Sequence, residues 1–145
     1  MSQTMEIRPA RVEDSEAILA LERESFTDPW SREGLISSLA SPLYYCRVAT
    51  EQGRISAYLI AQLVAGEGEL LRIAVGPGER ARGTGRALVE QMLRENPGIR
   101  PWRLDVRESN HGARKLYESL GFKPMIRRRN YYEKPGEDGI MMILE

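Results

Sequence analysis

The chain has 145 residues, 41% of them hydrophobic, and its 21 basic residues balance 21 acidic ones. That length predicts a single domain, residues 1–145, with a real core, and no apolar run approaches a membrane span. The balanced charge argues against a broad nucleic-acid surface, although Arg127, Arg128 and Arg129 form a local basic cluster, and one His with one Cys supplies too few soft ligands for a zinc site.

Met5 to Pro9 reads as a first strand, β1. Asp14 opens a helix, α1, whose apolar residues Ala17, Ile18, Leu21 and Phe26 share a face. Ser31 caps a second helix, α2, with a stripe of Leu35, Ile36 and Leu39, and Ser41-Pro42 breaks it. Tyr44 to Thr50 and Ile55 to Val64 are strands β2 and β3, joined by the hairpin signal Glu51-Gln52-Gly53-Arg54. The pattern then turns α/β: strand β4 from Leu70 to Val75 with Glu69 at its start, helix α3 from Gly85 to Asn96, strand β5 from Trp102 to Arg107, and helix α4 from Ala113 to Leu120. Lys123 to Tyr132 and Gly139 to Leu144 finish as antiparallel strands β6 and β7 around a loop from Glu133 to Asp138. The N-terminal MSQTMEIRPAR lacks the hydrophobic region of a signal peptide, and the single Cys46 excludes an internal disulfide, so a reducing cytoplasm is expected.

The segment LLRIAVGPGERARGTG, Leu70 to Gly85, joins an apolar strand to a glycine-rich turn that opens a helix. Gly83 and Gly85 let a ligand approach the backbone, the first N–H groups of the helix point at it with the positive end of the dipole, and Arg80, Arg82 and Arg86 add full charge. This is a phosphate-binding arrangement. It is not a Walker loop, because Arg86 and Ala87 follow Gly85, nor a dinucleotide fingerprint, because Leu88 stands where the third glycine belongs. Read alone, such a turn is also compatible with mere helix capping. Downstream, LDVRESNHGARKLYESLGF places Asn110 as the N-cap of a helix whose apolar positions Ala113, Leu116, Tyr117 and Leu120 recur at helical spacing, with Gly121 as its C-terminal stop. Tyr117 by itself reads equally as a core tyrosine whose hydroxyl needs a partner. His111 beside the cap reads as a solvated residue.

Arg80-x-x-Gly83-x-Gly85 followed by Asn110-x-x-Ala113-x-x-Leu116-Tyr117-x-x-x-Gly121-Phe122 resembles the two hallmarks of the GNAT N-acetyltransferases, the family that binds acetyl-coenzyme A. The resemblance implies a mixed-sheet α/β fold, β1-α1-α2-β2-β3-β4-α3-β5-α4-β6-β7, with β4 and β5 parallel and splayed. Phe26 to Ser31, Ile73-Ala74-Val75, Leu104 to Asn110 and Arg128 to Tyr132 are similar to the branch that acetylates the N-terminal alanine of a ribosomal protein. Two positions depart from the family pattern: Asp105 stands where Glu is usual, and Arg72 where Asn is common.

What the resemblance implies is direct attack of an amine on the thioester, with no metal. The main chain of Ile73, Ala74 and Val75 would pair with the pantetheine, the turn Arg80-Ala81-Arg82-Gly83-Thr84-Gly85-Arg86 would wrap the pyrophosphate, and Asn110 would reach the pantetheine arm. Tyr117 would protonate the leaving thiolate. Asp105, one methylene shorter than the family's Glu, would take the amine proton through a water, with Glu69 as the second candidate; each could instead be a solvated or salt-bridged strand residue. Phe26, Trp30, Tyr131 and Tyr132 would border the acceptor, the N-terminal peptide of a protein, with neither nucleic acid nor membrane as partner. An acetyltransferase for a lysine side chain or a small amine and a coenzyme-A-binding module without turnover are the other readings. Tyr117 and a nearby carboxylate argue against the last.

Overall fold

A computed structural model of the chain describes residues 5–77 and 83–145. Seven strands form one mixed sheet in the order β1-β2-β3-β4-β5-β7-β6. They are β1 Met5–Pro9, β2 Tyr44–Glu51, β3 Arg54–Val64, β4 Glu67–Val75, β5 Trp102–Arg107, β6 Lys123–Glu133 and β7 Gly136–Leu144. Neighbouring strands are antiparallel except β4 and β5, which run parallel. Helices α1 Ser15–Ser25 and α2 Arg32–Ala40 cover one face, and α3 Thr84–Glu95 and α4 His111–Ser119 the other. This is the mixed-sheet α/β architecture the motifs imply. Among the described residues no helix is long and apolar enough to cross a membrane.

The two cores follow from the period of two along each strand. Ala57, Leu59 and Ala61 of β3 join Leu88, Val89 and Met92 of α3, whereas Tyr58 and Ile60 join Ile18, Leu19 and Leu35 of α1 and α2. Burial on both faces explains why β3 reads as a nearly unbroken apolar run. Each fully buried Leu or Ile contributes about 1.5–3 kcal/mol relative to exposure. The predicted caps are present: Ser31 Oγ accepts from Gly34 N at 3.0 Å, Asn110 Oδ1 accepts from Ala113 N at 3.2 Å, and Gly121 takes a φ of +101° just beyond α4.

Several boundaries differ from the sequence expectation. Asp14 does not cap α1 with its side chain; its carboxylate accepts from Arg8 and from the Arg11 N–H, closing a short 3-10 turn at Val12–Asp14. Of the expected α1 face, Ala17 is exposed and Leu19 takes its place beside Ile18 and Leu21; Phe26 lies past the helix end in an extended conformation, φ −126° and ψ 139°, yet packs against the same core. The β2–β3 turn is only Gln52-Gly53, both at positive φ, rather than four residues. Glu69 is the third residue of β4 and not its first, Thr84 rather than Gly85 begins α3, and α4 begins at His111. The expected loop from Glu133 to Asp138 shrinks to Lys134-Pro135. Strands reach tight turns wherever backbone pairing continues, and their polar last residues hide that length from a hydrophobicity pattern.

Candidate active site

β4 and β5 pair in parallel through Gly68–Trp102, Glu69–Arg103 and Leu70–Leu104, and no register continues beyond. The strands diverge there, and a cavity of about 710 Å³ opens between them. A bulge in β4 shapes it: against β3, Leu70 pairs with Ala61 and Arg72 with Ile60, so Leu71 is an extra residue. Leu70 faces the α3–α4 core, as do Ile73 and Val75 beyond the bulge. Without the bulge Glu69 and Arg72 would point to opposite faces; with it both join Asp105 on the face toward α1 and α2. The cavity is lined from both faces of the sheet, by Gly85, Asn110 and Tyr117 on one and by Phe26, Trp30, Glu69, Asp105, Tyr131 and Tyr132 on the other.

On the first side, Ile73, Ala74 and Val75 form the wall next to the start of α3. Gly83 is the N-cap of α3 at φ +78° and ψ 11°, a backbone that only glycine adopts freely, and Thr84 is buried beneath it. A β-carbon on Gly85 would lie 3.7 Å from Val75 Cγ2 and 3.9 Å from Ile73 Cδ1, ordinary contact distances. Arg86 is exposed and reaches Ser119 Oγ at 2.7 Å and Glu90 Oε2 at 3.4 Å. Arg80, Ala81 and Arg82 lie outside the described residues. Asn110 lines the cavity, and its Oδ1 accepts from Ala113 N to cap α4. Tyr117 projects from α4 and is 5% exposed, its ring edge-on to Phe122 at 5.8 Å. Burial, reinforced by Tyr132, holds its phenol above the usual tyrosine range, so it keeps its proton at neutral pH.

On the second side, Arg128 of β6 donates from Nε to Asp105 Oδ1 at 2.8 Å. Glu69 makes no hydrogen bond or ion pair among the described residues, although its charge and that of Asp105 both act on Arg128. Burial first and the Asp105 carboxylate second raise the phenols of Tyr131 and Tyr132, the latter to about 12. Arg72 fills the space between Phe26 and Trp30, its guanidinium carbon 4.0 Å and 5.4 Å from the two ring centroids, and it donates to the Asp28 carbonyl at 2.8 Å. Its Nε lies 3.2 Å from Oε1 of the fully buried Glu22, an ion pair outside hydrogen-bonding geometry. Glu22 also accepts from the Tyr58 hydroxyl and, at 2.8 Å, from Trp30 N.

Sequence reasoning missed Glu22, Arg107 and Arg128 as parts of the site. Arg107 donates to Glu137 at 3.1 Å and to the carbonyls of Pro135 and Lys134, and it lies 4.4 Å from the Tyr132 ring centroid. Thr27 donates to the same Lys134 carbonyl, so the segment after α1 and the β6–β7 turn meet beside the cavity. The expected basic cluster is dispersed: Arg127 pairs with Glu108 and Asp138, Arg128 pairs with Asp105, and Arg129 is exposed. Alternating strand faces and acidic partners make it no anion-binding patch. His111 is exposed at the first turn of α4.

The chain belongs to the Acetyltransferase (GNAT) family, which residues 15–122 match. Over 135 residues it is 38% identical to the ribosomal protein bS18-alanine N-acetyltransferase of Escherichia coli strain K12, with 90% of each chain covered. The crystal structure of the ribosomal-protein-S18-alanine N-acetyltransferase from Escherichia coli superposes with a TM-score of 0.91 at 36% identity, over 97% of this chain and 93% of that one. Arabidopsis thaliana NAA60 in complex with acetyl-CoA shares the fold, with a TM-score of 0.86 at 18% identity and 97% of both chains covered.

Proposed function

We propose that the chain transfers the acetyl group of acetyl-coenzyme A to the α-amine of a protein N-terminus, the N-terminal alanine of ribosomal protein bS18. The observation that carries this reading is the cavity through the divergence of β4 and β5, with a proton-bearing phenol on one side and two carboxylates on the other. Kinship to the Escherichia coli bS18-alanine enzyme supports the substrate. The meeting of the Thr27 segment with the Lys134-Pro135 turn supports an acceptor that arrives end-on. The reading assigns the chain to the cytoplasm, in keeping with its single, buried cysteine, Cys46.

The cofactor arm would lie along β4 with its main chain paired to Ile73, Ala74 and Val75, its pyrophosphate over the residues Arg80, Ala81, Arg82, Gly83, Thr84, Gly85 and Arg86, and its carbonyls toward the Asn110 amide. The open φ > 0 backbone at Gly83 and the N–H groups at the start of α3 suit that anion. An α-amine with a pKa of about 8 is mostly protonated at neutral pH and must lose a proton before it attacks. Asp105 takes that proton through a water: Arg128 fixes Oδ1, and Oδ2 orients the water. The neutral amine forms the bond to the acetyl carbon and the C–S bond breaks; Tyr117 gives its proton to the thiolate, and the second proton that the nitrogen sheds as it becomes an amide restores the phenol through water. A second assignment of the base, Glu69, is favoured by its having no ion pair among the described residues, and both carboxylates border the same space.

Thiol release from acetyl-coenzyme A, followed with an alanine-starting peptide, the same peptide N-terminally blocked but carrying lysine, and free polyamines, tests the reading. Turnover with the first alone is expected. Turnover with the blocked peptide or the polyamines, and none with the first, would overturn it in favour of a lysine or small-amine acetyltransferase.

A further inference from the structure

Tyr131 and Tyr132 are consecutive residues of a strand, so their side chains ought to leave opposite faces of the sheet. Both nevertheless line the cavity, with ring centroids 5.0 Å apart and planes at 87°. The cause lies in three residues that the cavity does not contain. Between the pairs Arg128–Gly139 and Tyr132–Glu137 the register slips, so Arg129, Asn130 and Tyr131 stand opposite Asp138 alone. Asn130, at the centre of the bulge, has a φ of +52°, and its N–H donates to Asp138 Oδ1 at 2.9 Å, while Arg127 holds the other carboxylate oxygen at 3.2 Å. The Asn130 side chain is exposed; what it supplies is a backbone that tolerates the left-handed region, which a β-branched residue does not. The third residue is Gly139. A β-carbon there would lie 3.1 Å from Tyr131 Cδ2 and 3.1 Å from Tyr132 Cε2, so both rings rest on its bare backbone.

We propose that Asn130, Asp138 and Gly139 are positioning residues for the acceptor: their bulge turns both tyrosines onto the cavity and sets the wall against which the amine substrate is aligned. The proposal rests on the acceptor side assigned above. β6 is an edge strand, and a bulge there also discourages pairing with another chain, but that role requires neither a glycine at 139 nor two rings stacked on it.

Asn130→Val, Asn130→Gly and Gly139→Ala separate backbone geometry from side-chain chemistry. Crystal structures should show the Tyr131–Tyr132 ring pair retained in Asn130→Gly and displaced in the other two. With an alanine-starting peptide, the acceptor KM should rise on the order of tenfold in Asn130→Val and Gly139→Ala and stay near wild type in Asn130→Gly, with acetyl-coenzyme A affinity unchanged in all three. An unmoved ring pair in both disruptive variants would overturn the positioning role, and so would an unchanged acceptor KM. Equal loss of acetyl-coenzyme A affinity would reduce the bulge to a feature of general stability. A wild-type chain inert toward the peptide would instead overturn the substrate reading and the acceptor role with it.

Discussion

Arg128 Nε and Asp105 Oδ1, on β6 and β5, stand 2.8 Å apart and share one hydrogen bond on the side of the cavity that faces α1 and α2. The pair ties the strand that carries Tyr131 to β5, which lines the cavity. One oxygen is held by a permanent cation, and the carboxylate also acts on the Tyr131 phenol; on the proposed reading Oδ2 orients the water that relays the amine proton.

Asp105→Asn should therefore lower kcat by about tenfold or more and steepen its rise with pH between about 6 and 9, because the reaction would then need amine that is already neutral. Glu69→Gln should do less, and Asp105→Glu, the residue usual in the family, should retain or raise activity on an alanine-starting peptide. Initial rates across that pH range check all three. A silent Asp105→Asn beside a crippled Glu69→Gln would move the base to β4.

Tyr117→Phe removes one oxygen and keeps the ring against Phe122, so folding and acetyl-coenzyme A binding should survive while turnover falls about a hundredfold. Because burial raises the Tyr117 phenol, its protonated, active form persists to high pH, and the wild-type kcat profile should show no alkaline limb below about pH 10. Near wild-type turnover in the variant would leave Tyr117 a packing residue.

Gly85 distinguishes ligand space from packing space. Its imagined β-carbon makes only ordinary contacts, so Gly85→Ala should fold and bind acetyl-coenzyme A within a few-fold of wild type. Gly85→Glu should abolish binding, since a bulky anion would occupy the place of the pyrophosphate at the helix start. Titration calorimetry with unchanged affinity in Gly85→Glu would refute the placement.

Arg72 balances the fully buried Glu22 and is itself 18% exposed. Its replacement by Asn leaves that carboxylate with the Tyr58 hydroxyl and the Trp30 N–H alone and should cost about 3 kcal/mol of stability in denaturant unfolding. Glu22→Gln combined with Arg72→Asn should recover part of the loss, because no uncompensated buried charge remains. Additive losses in the double variant would show that the two residues are not coupled.

The fold was legible because its signals are local. Ser31 and Asn110 sit where caps are needed, β3 carries an apolar run, and the glycine turn before α3 and the helix around Tyr117 lie in order along the chain. The active-site electrostatics were not legible, because they depend on register. Strict alternation puts Glu69 and Arg72 on opposite faces until the bulge at Leu71 unites them, and nothing in the run Arg127-Arg128-Arg129 tells which arginine reaches Asp105. Glu22 reads as a polar residue of a surface helix, yet three partners satisfy it in the core. Phe26 meets the helical spacing but lies one residue past the end of α1.

The most direct test of the account is to locate the transferred acetyl group by fragmentation mass spectrometry on a bS18 N-terminal peptide that also contains lysine, after incubation with the chain and acetyl-coenzyme A. One acetyl group is expected, on the α-nitrogen of the first alanine, formed at a rate that falls sharply with Tyr117→Phe. Acetyl on the lysine ε-nitrogen with the α-amine bare would contradict it.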